Sequence, residues 1–145
     1  MGFLDALFGS KKPQYPPLDA ASPLATRLAA HRTNLEKMAG KVRDSLEAVP
    51  GESTLYLFIG KPPEMFGIAW FDGGGEEESL RTIMKSRNLP QSRVQQISDD
   101  VRAVYVRHQG APRYSATASG KPVTVTDDPA LVGDLDKVIH EVAGT

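Results

Sequence analysis

The sequence predicts a single α+β domain with a sheet of about five mainly antiparallel strands covered by helices. The chain has 145 residues, 40% of them hydrophobic, which is enough to bury one core. Apolar or alternating runs follow one another closely and are joined by short turns, which favours antiparallel pairing. Stretches with a helical period precede, separate and follow these runs, and helices of that kind cover a sheet.

A long helical pattern opens the domain. Ser22 is a good N-cap, Pro23 suits the first helical position, and apolar residues then recur every three or four positions. This predicts a helix over 23–49 that either bends near Gly40 or projects beyond the sheet. The half after Gly40 is expected to cover the sheet, and the half before it to enter a dimer contact or lie against the final helix. Its near-heptad spacing indicates a candidate oligomer seam, formed by Leu24, Leu28, His31 and Leu35.

Two hairpins are predicted where strand-like runs flank turn residues. "STLYLFIG" and "MFGIAWFD" form the first, with Trp70 in the core. Residues 114–119 and 122–127 form the second, around Gly120. Residues 101–108 alternate between apolar and polar side chains and are predicted to be a further strand.

Two more helices complete the predicted order. One follows the glycine-rich loop 73–75, with Glu76, Glu77 and Glu78 in its first turn, where they complement the helix dipole. The last begins at Asp128-Pro129. The resulting order is helix, two strands, helix, three strands, helix, which is similar to that of the roadblock and profilin-like folds. The resemblance is one of element order and implies no activity.

The N-terminus combines an apolar tip, residues 1–9, with a proline-rich spacer, residues 10–22, ahead of the domain at 23–145. The bulky side chains of the tip share one helical face, and lysines follow them. The tip resembles the short membrane-targeting N-termini of some bacterial peripheral proteins. Three hypotheses remain: the tip docks on its own domain, lies on a membrane surface or binds a groove of a partner. The predicted partner- or membrane-binding residues are Phe3, Leu4, Leu7, Phe8, Lys11 and Lys12.

The most polar cluster of functional side chains lies in "RHQGAPRY", which is predicted to connect two strands. Its members are Arg107, His108, Arg113 and Tyr114. Arginine forks in such a connection could bind an acidic ligand or a phosphate. The alternative is a solvated hairpin end, where changing His108 and Arg113 to alanine would alter stability by no more than about 0.5 kcal/mol.

Composition bears on the class of function. The net charge of −1 gives no general attraction to nucleic acid, and the absence of cysteine fits a reducing compartment. The sequence has neither a catalytic motif nor a pair of histidines at metal-ligand spacing, so we expect no cofactor and no metal. The sequence therefore predicts a cytoplasmic, non-enzymatic interaction or adaptor module. A protein partner is expected, and a membrane surface and a homodimer remain hypotheses. The alternative is a sensor or enzyme for a small ligand, with a pocket near His108, Arg113 and Asp72.

Overall fold

The computed structural model describes residues 15–73 and 75–143. The strands are β1 (Leu46–Pro50), β2 (Thr54–Lys61), β3 (Met65–Asp72), β4 (Glu77–Ser79), β5 (Arg113–Ala118) and β6 (Lys121–Thr126). The helices are α1 (Pro23–Ala30), α2 (Arg32–Lys41), α3 (Leu80–Ser86), α4 (Gln91–Arg107) and α5 (Pro129–Ala143). The predicted fold class, one α+β domain built on a mainly antiparallel sheet, is confirmed.

The strands form one mixed sheet in the order β4-β3-β2-β1-β6-β5. The β1–β6 pair at its centre is parallel, and the other pairs are antiparallel. Successive side chains of a strand point to opposite faces, so Leu57 lies in the core under α1 and α2, whereas Tyr56 lies in the core under α3, α4 and α5. Trp70 is only 2% exposed and belongs to the second core, as predicted. The sheet is therefore covered by helices on both faces.

The prediction of a helix over 23–49 is wrong. α1 ends at His31, whose φ of −110° and ψ of 16° leave the helical region and whose Nε2 lies 3.1 Å from the Gly51 carbonyl oxygen. The break is therefore at His31 rather than near Gly40, and α2 ends at Lys41. Leu46 belongs to β1, which is buried throughout and paired on both sides. Pairing with strands distant in sequence outweighs the helical spacing of this segment.

The candidate oligomer seam faces the chain's own sheet. Its four members, Leu24, Leu28, His31 and Leu35, are all at most 9% exposed. The three leucines pack in one core with residues of β1, β2, β5 and β6. The expectation that this half of the helix enters a dimer contact or lies against the final helix is thus corrected, because the sheet itself buries these side chains.

The strand predicted over 101–108 is also wrong, because these residues end α4. Ile97, Val101, Val104 and Tyr105 are buried together, at the spacing of one helical face. The same residues alternate locally with polar ones, so a short window fits both periods.

The glutamates predicted to begin a helix lie outside it. Glu77 and Glu78 belong to β4, and Ser79 caps α3 by accepting a hydrogen bond from the Thr82 N–H. The second hairpin is confirmed as β5 and β6, with Ser119 and Gly120 at φ of 51° and 75°. Both positive values match the turn that suits the twist of paired strands.

The described part of the spacer lies along the sheet edge. Pro17 forms an isolated parallel bridge with Ser115 of β5. The Ser115 N–H donates to the Pro16 carbonyl oxygen at 2.8 Å, and the Leu18 N–H donates to the Ser115 carbonyl oxygen at 2.9 Å. The predicted tip at 1–9 and the two lysines after it lie outside the described residues. None of the helices in the described ranges has the length and apolar character needed to cross a bilayer.

Candidate functional site

A groove runs along the outer edge of β5, between residues 17–20 and the helices α1 and α2. Its volume is about 470 Å³, within the range of sites that bind small molecules or side chains. Most of its lining is apolar, contributed by Pro17, Leu18, Ala20, Ala25, Leu28, Ala29, Leu35, Ala116 and Ala118. We refer to it as the β5 groove.

Small side chains create the space in the β5 groove. Ala25 and Ala29 come from α1, and Ala116 and Ala118 come from β5, so no bulky group fills the gap between helix and strand. Arg32 also lines the groove and forms an exposed 3.2 Å ion pair with Glu36 on α2. The groove is thus an apolar recess with a charged rim, which suits a bulky apolar side chain of an incoming segment.

The exposed edge of β5 adds main-chain hydrogen-bonding groups to the groove. Ser115 directs its N–H and C=O away from β6, because both bond to residues 16 and 18. These directions alternate along a strand, so the N–H and C=O of Thr117 also point outward, into the groove that Thr117 lines. Residues 16–18 leave the edge before Thr117, which has no strand partner on that side among the described residues.

A smaller cavity of about 310 Å³ lies on the other side of Leu18. Arg27 and Asp127 line it and form a 3.0 Å ion pair. Tyr114, one of the predicted ligand-binding residues, also lines this cavity. None of the other three predicted ligand-binding residues does so.

His108 joins the end of α4 to the start of α5. Its Nδ1 and Nε2 lie 2.8 Å from carboxylate oxygens of Asp128 and Asp134, respectively. Only the doubly protonated imidazolium donates to both. The hydrogen bond to Asp134 outweighs burial and, with Asp128, raises the pKa of His108 above its usual range. The same interaction, helped by Arg107 at 3.5 Å, lowers the pKa of Asp134. The cations of Arg107 and His108 are therefore matched by carboxylates of the fold.

Arg113 belongs to a buried polar cluster. Its Nε donates to Glu47 Oε2 at 3.0 Å, and the two side chains are 7% and 10% exposed. The hydroxyls of Tyr105 and Thr126 donate to Glu47 Oε1 and Oε2, at 2.7 and 2.5 Å. Burial lowers the pKa of Arg113, yet the Glu47 charge and Tyr105 together leave it raised. The expectation of a solvated hairpin end is thus wrong: residues 108–112 join α4 to β5, and Arg113 is buried and paired.

Glu47 is the member of this cluster that sequence reasoning missed. It is the only charged residue in the β1 segment "LEAVP", all five residues of which are buried. A single carboxylate inside an apolar strand is itself a signal, because a buried charge needs a partner. Its partners lie 58 to 79 positions away in the sequence, so only the fold identifies them.

The third residue of the predicted ligand pocket, Asp72, lies elsewhere. Its Oδ1 accepts from the Thr54 hydroxyl at 2.7 Å, and its Oδ2 is 3.6 Å from His140 Nε2. Within the described ranges, no group of three carboxylate, imidazole or thiol side chains is placed to hold a metal ion. The structure thus does not join Asp72 to His108 and Arg113 through any contact between their side chains.

Comparison with known proteins adds no family or relative. No family model matches the chain, and no curated protein and no solved structure is significantly similar to it. The function therefore has to be argued from the site itself.

Proposed function

We propose that this chain is a non-enzymatic interaction module that binds a short, extended, apolar segment of a partner protein in the β5 groove. The observation that carries the proposal is the meeting of an apolar recess and an open strand edge at one place, around Thr117. Strand addition uses such edges, with main-chain hydrogen bonds for affinity and side-chain pockets for specificity.

The segment 15–18 supports an extended occupant. It already pairs with β5 in parallel orientation, through main-chain hydrogen bonds at Ser115. A partner segment would continue this pairing at Thr117 and place a bulky side chain between Ala29 and Ala118. Burying one such side chain contributes roughly 1.5–3 kcal/mol, so two anchors and the strand hydrogen bonds would give a weak to moderate affinity.

The arrangement of charges favours this function over binding of a small acidic ligand near His108 and Arg113. An acidic ligand would have to displace Asp134 from His108 or Glu47 from Arg113, and the latter pair is almost fully buried. Truncating one partner of such a pair leaves an uncompensated buried charge. A sensor or enzyme site of that kind is therefore the less favoured hypothesis.

Peripheral attachment to a membrane remains a second hypothesis, and it depends on residues outside the described ranges. Co-sedimentation with vesicles of phosphatidylcholine and phosphatidylserine tests it. The intact chain is compared with the variant that combines Leu4→Glu and Phe8→Glu. Binding that only the intact chain shows would assign the tip to the membrane.

Selection from a displayed library of random peptides tests the groove proposal directly. We expect selected peptides to carry bulky apolar residues and to lose binding to the variant Ala29→Lys, which places a charged chain in the groove. The matched control is Ala103→Lys, an equally exposed alanine on α4, across the sheet. Peptides that bind both variants equally, or a selection that yields no specific binder, would contradict the proposal.

A further inference from the structure

The occupant of the β5 groove in the isolated chain can be sought within the chain itself. The tip at 1–9 carries four bulky apolar residues in a short span, and a helix or strand of that length is marginal in water without a surface to form on. The groove is an open apolar recess in the same molecule. The two are complementary in size, since small side chains line the groove and large ones make up the tip.

The path of the chain brings the tip to the groove. The described residues begin at Tyr15, whose carbonyl oxygen accepts from the Ser115 hydroxyl at 3.2 Å. Ser115 itself lines the groove, which continues along β5 to Ala118, a distance of about 10 Å along the strand. Residues 9–14 between the tip and Tyr15 span at most about 20 Å when extended. The tether is therefore long enough to return the tip to the groove and short enough to keep it nearby.

We infer that the N-terminal tip, through Leu4, Leu7 and Phe8, occupies the β5 groove of its own chain and is displaced when a partner segment binds. The inference rests on the proposed function only in taking the groove as the binding surface. A tethered segment acts at an effective concentration in the millimolar range. It would thus outcompete weak, non-specific apolar segments, while a segment with better main-chain pairing at Thr117 would displace it.

Self-occupancy also explains the composition of the intervening residues. Lys11 and Lys12 lie in the tether, where they would remain in water while the apolar residues are covered. The prolines at 13, 16 and 17 restrict the tether to extended geometry, which lowers the entropy lost when the tip is held. A covered tip would also protect the chain from self-association through exposed apolar side chains.

Disulfide trapping in the full chain tests this inference without background, because the chain contains no cysteine. The groove pair combines Gly9→Cys with Ala29→Cys. The control pair combines Gly9→Cys with Ala103→Cys, an exposed alanine on the opposite face of the sheet. In glutathione buffer, we expect the intramolecular disulfide of the groove pair to form about tenfold faster or more, because the tip is held beside its partner.

Two additions make the outcome decisive. Adding Leu4→Glu and Phe8→Glu to the groove pair should lower its rate to that of the control, and adding a groove-selected peptide should lower it in proportion to occupancy. Equal rates for the groove and control pairs overturn the inference, and binding of the intact chain to vesicles would then identify the tip as a membrane anchor. Disulfide-linked dimers that increase with protein concentration also overturn it, in favour of the tip of a second copy. Groove-selected peptides would still bind in either case if the proposed function holds, so the two failures are distinguishable.

Discussion

Removing the charge of Glu47 should destabilise the protein strongly, because it leaves Arg113 buried without a counter-ion. The substitution Glu47→Gln keeps the volume of the side chain but replaces one carboxylate oxygen by an NH₂ group. That group faces donors, since Arg113 Nε and the Tyr105 and Thr126 hydroxyls all point at this carboxylate. The result is one unpaired buried cation and at least one lost hydrogen bond.

The magnitude follows from the burial of both partners. Breaking a buried ion pair by removing one member costs about 3–5 kcal/mol, and domains of this size are stable by about 5–15 kcal/mol. At about 3 °C per kcal/mol, the melting temperature should fall by roughly 10–15 °C. Urea unfolding followed by the fluorescence of Trp70, the only tryptophan, measures the loss of unfolding free energy.

A double variant separates the pair from its surroundings. Glu47→Leu combined with Arg113→Met removes both charges and should cost less than either single change, because no uncompensated charge remains. The matched control is Arg32→Gln, which breaks the exposed ion pair with Glu36 and should cost less than about 1 kcal/mol. If Glu47→Gln costs under 1 kcal/mol, or if the double variant loses the sum of the two single changes, the reasoning is refuted.

The pH dependence of stability should report on His108, and the turn of the second hairpin should report on backbone strain. Because the folded protein raises the pKa of His108, its contribution to stability is complete below its unfolded value, near 6.5, and is lost as the pH rises through the raised pKa. His108→Gln should remove this decline, as urea midpoints measured across that pH range would show. Gly120→Ala should cost about 1 kcal/mol because φ there is +75° although no atom lies near the added methyl group. Gly110→Ala, in equally open space without a positive φ, should cost little.

Each of these two predictions has a result that would contradict it. A constant difference in stability between the wild type and His108→Gln at all pH values would mean that the imidazolium is not the bridging species. Equal effects of alanine at positions 120 and 110 would mean that the left-handed conformation contributes nothing to the cost. Thermal melts at fixed pH are sufficient for the second comparison.

Most of the elements predicted correctly have signals that lie within a few residues of one another. The hairpin of β2 and β3 combines two continuous apolar runs with a proline-containing turn, and α5 begins at an aspartate whose Oδ1 accepts from the N–H groups of Ala130 and Leu131. Each signal depends on local backbone chemistry. Such signals are fully present in the sequence, and the fold class follows from their order.

Elements that were predicted wrongly have patterns compatible with two periods. Leu46 and Val49 continue the helical spacing of the preceding residues, yet β2 and β6 pair with their strand on both sides. Val101 and Val104 fit a short alternating run as well as the helical face that α4 buries. In both places the deciding energy comes from contacts with residues distant in the chain, and no local window contains that energy.

What the sequence by itself determined is therefore the class of fold, its hairpins and its final helix, along with an apolar tip that needs a surface. What only the tertiary structure decided is the site. The β5 groove joins residues 17–36 to residues 115–118, and its alanines carry no signal of their own in the sequence. Glu47 and Arg113 likewise become a pair only because β1, β6 and β5 lie side by side. A cavity and a buried ion pair are properties of distances between remote residues, and those distances exist only once the sheet has formed.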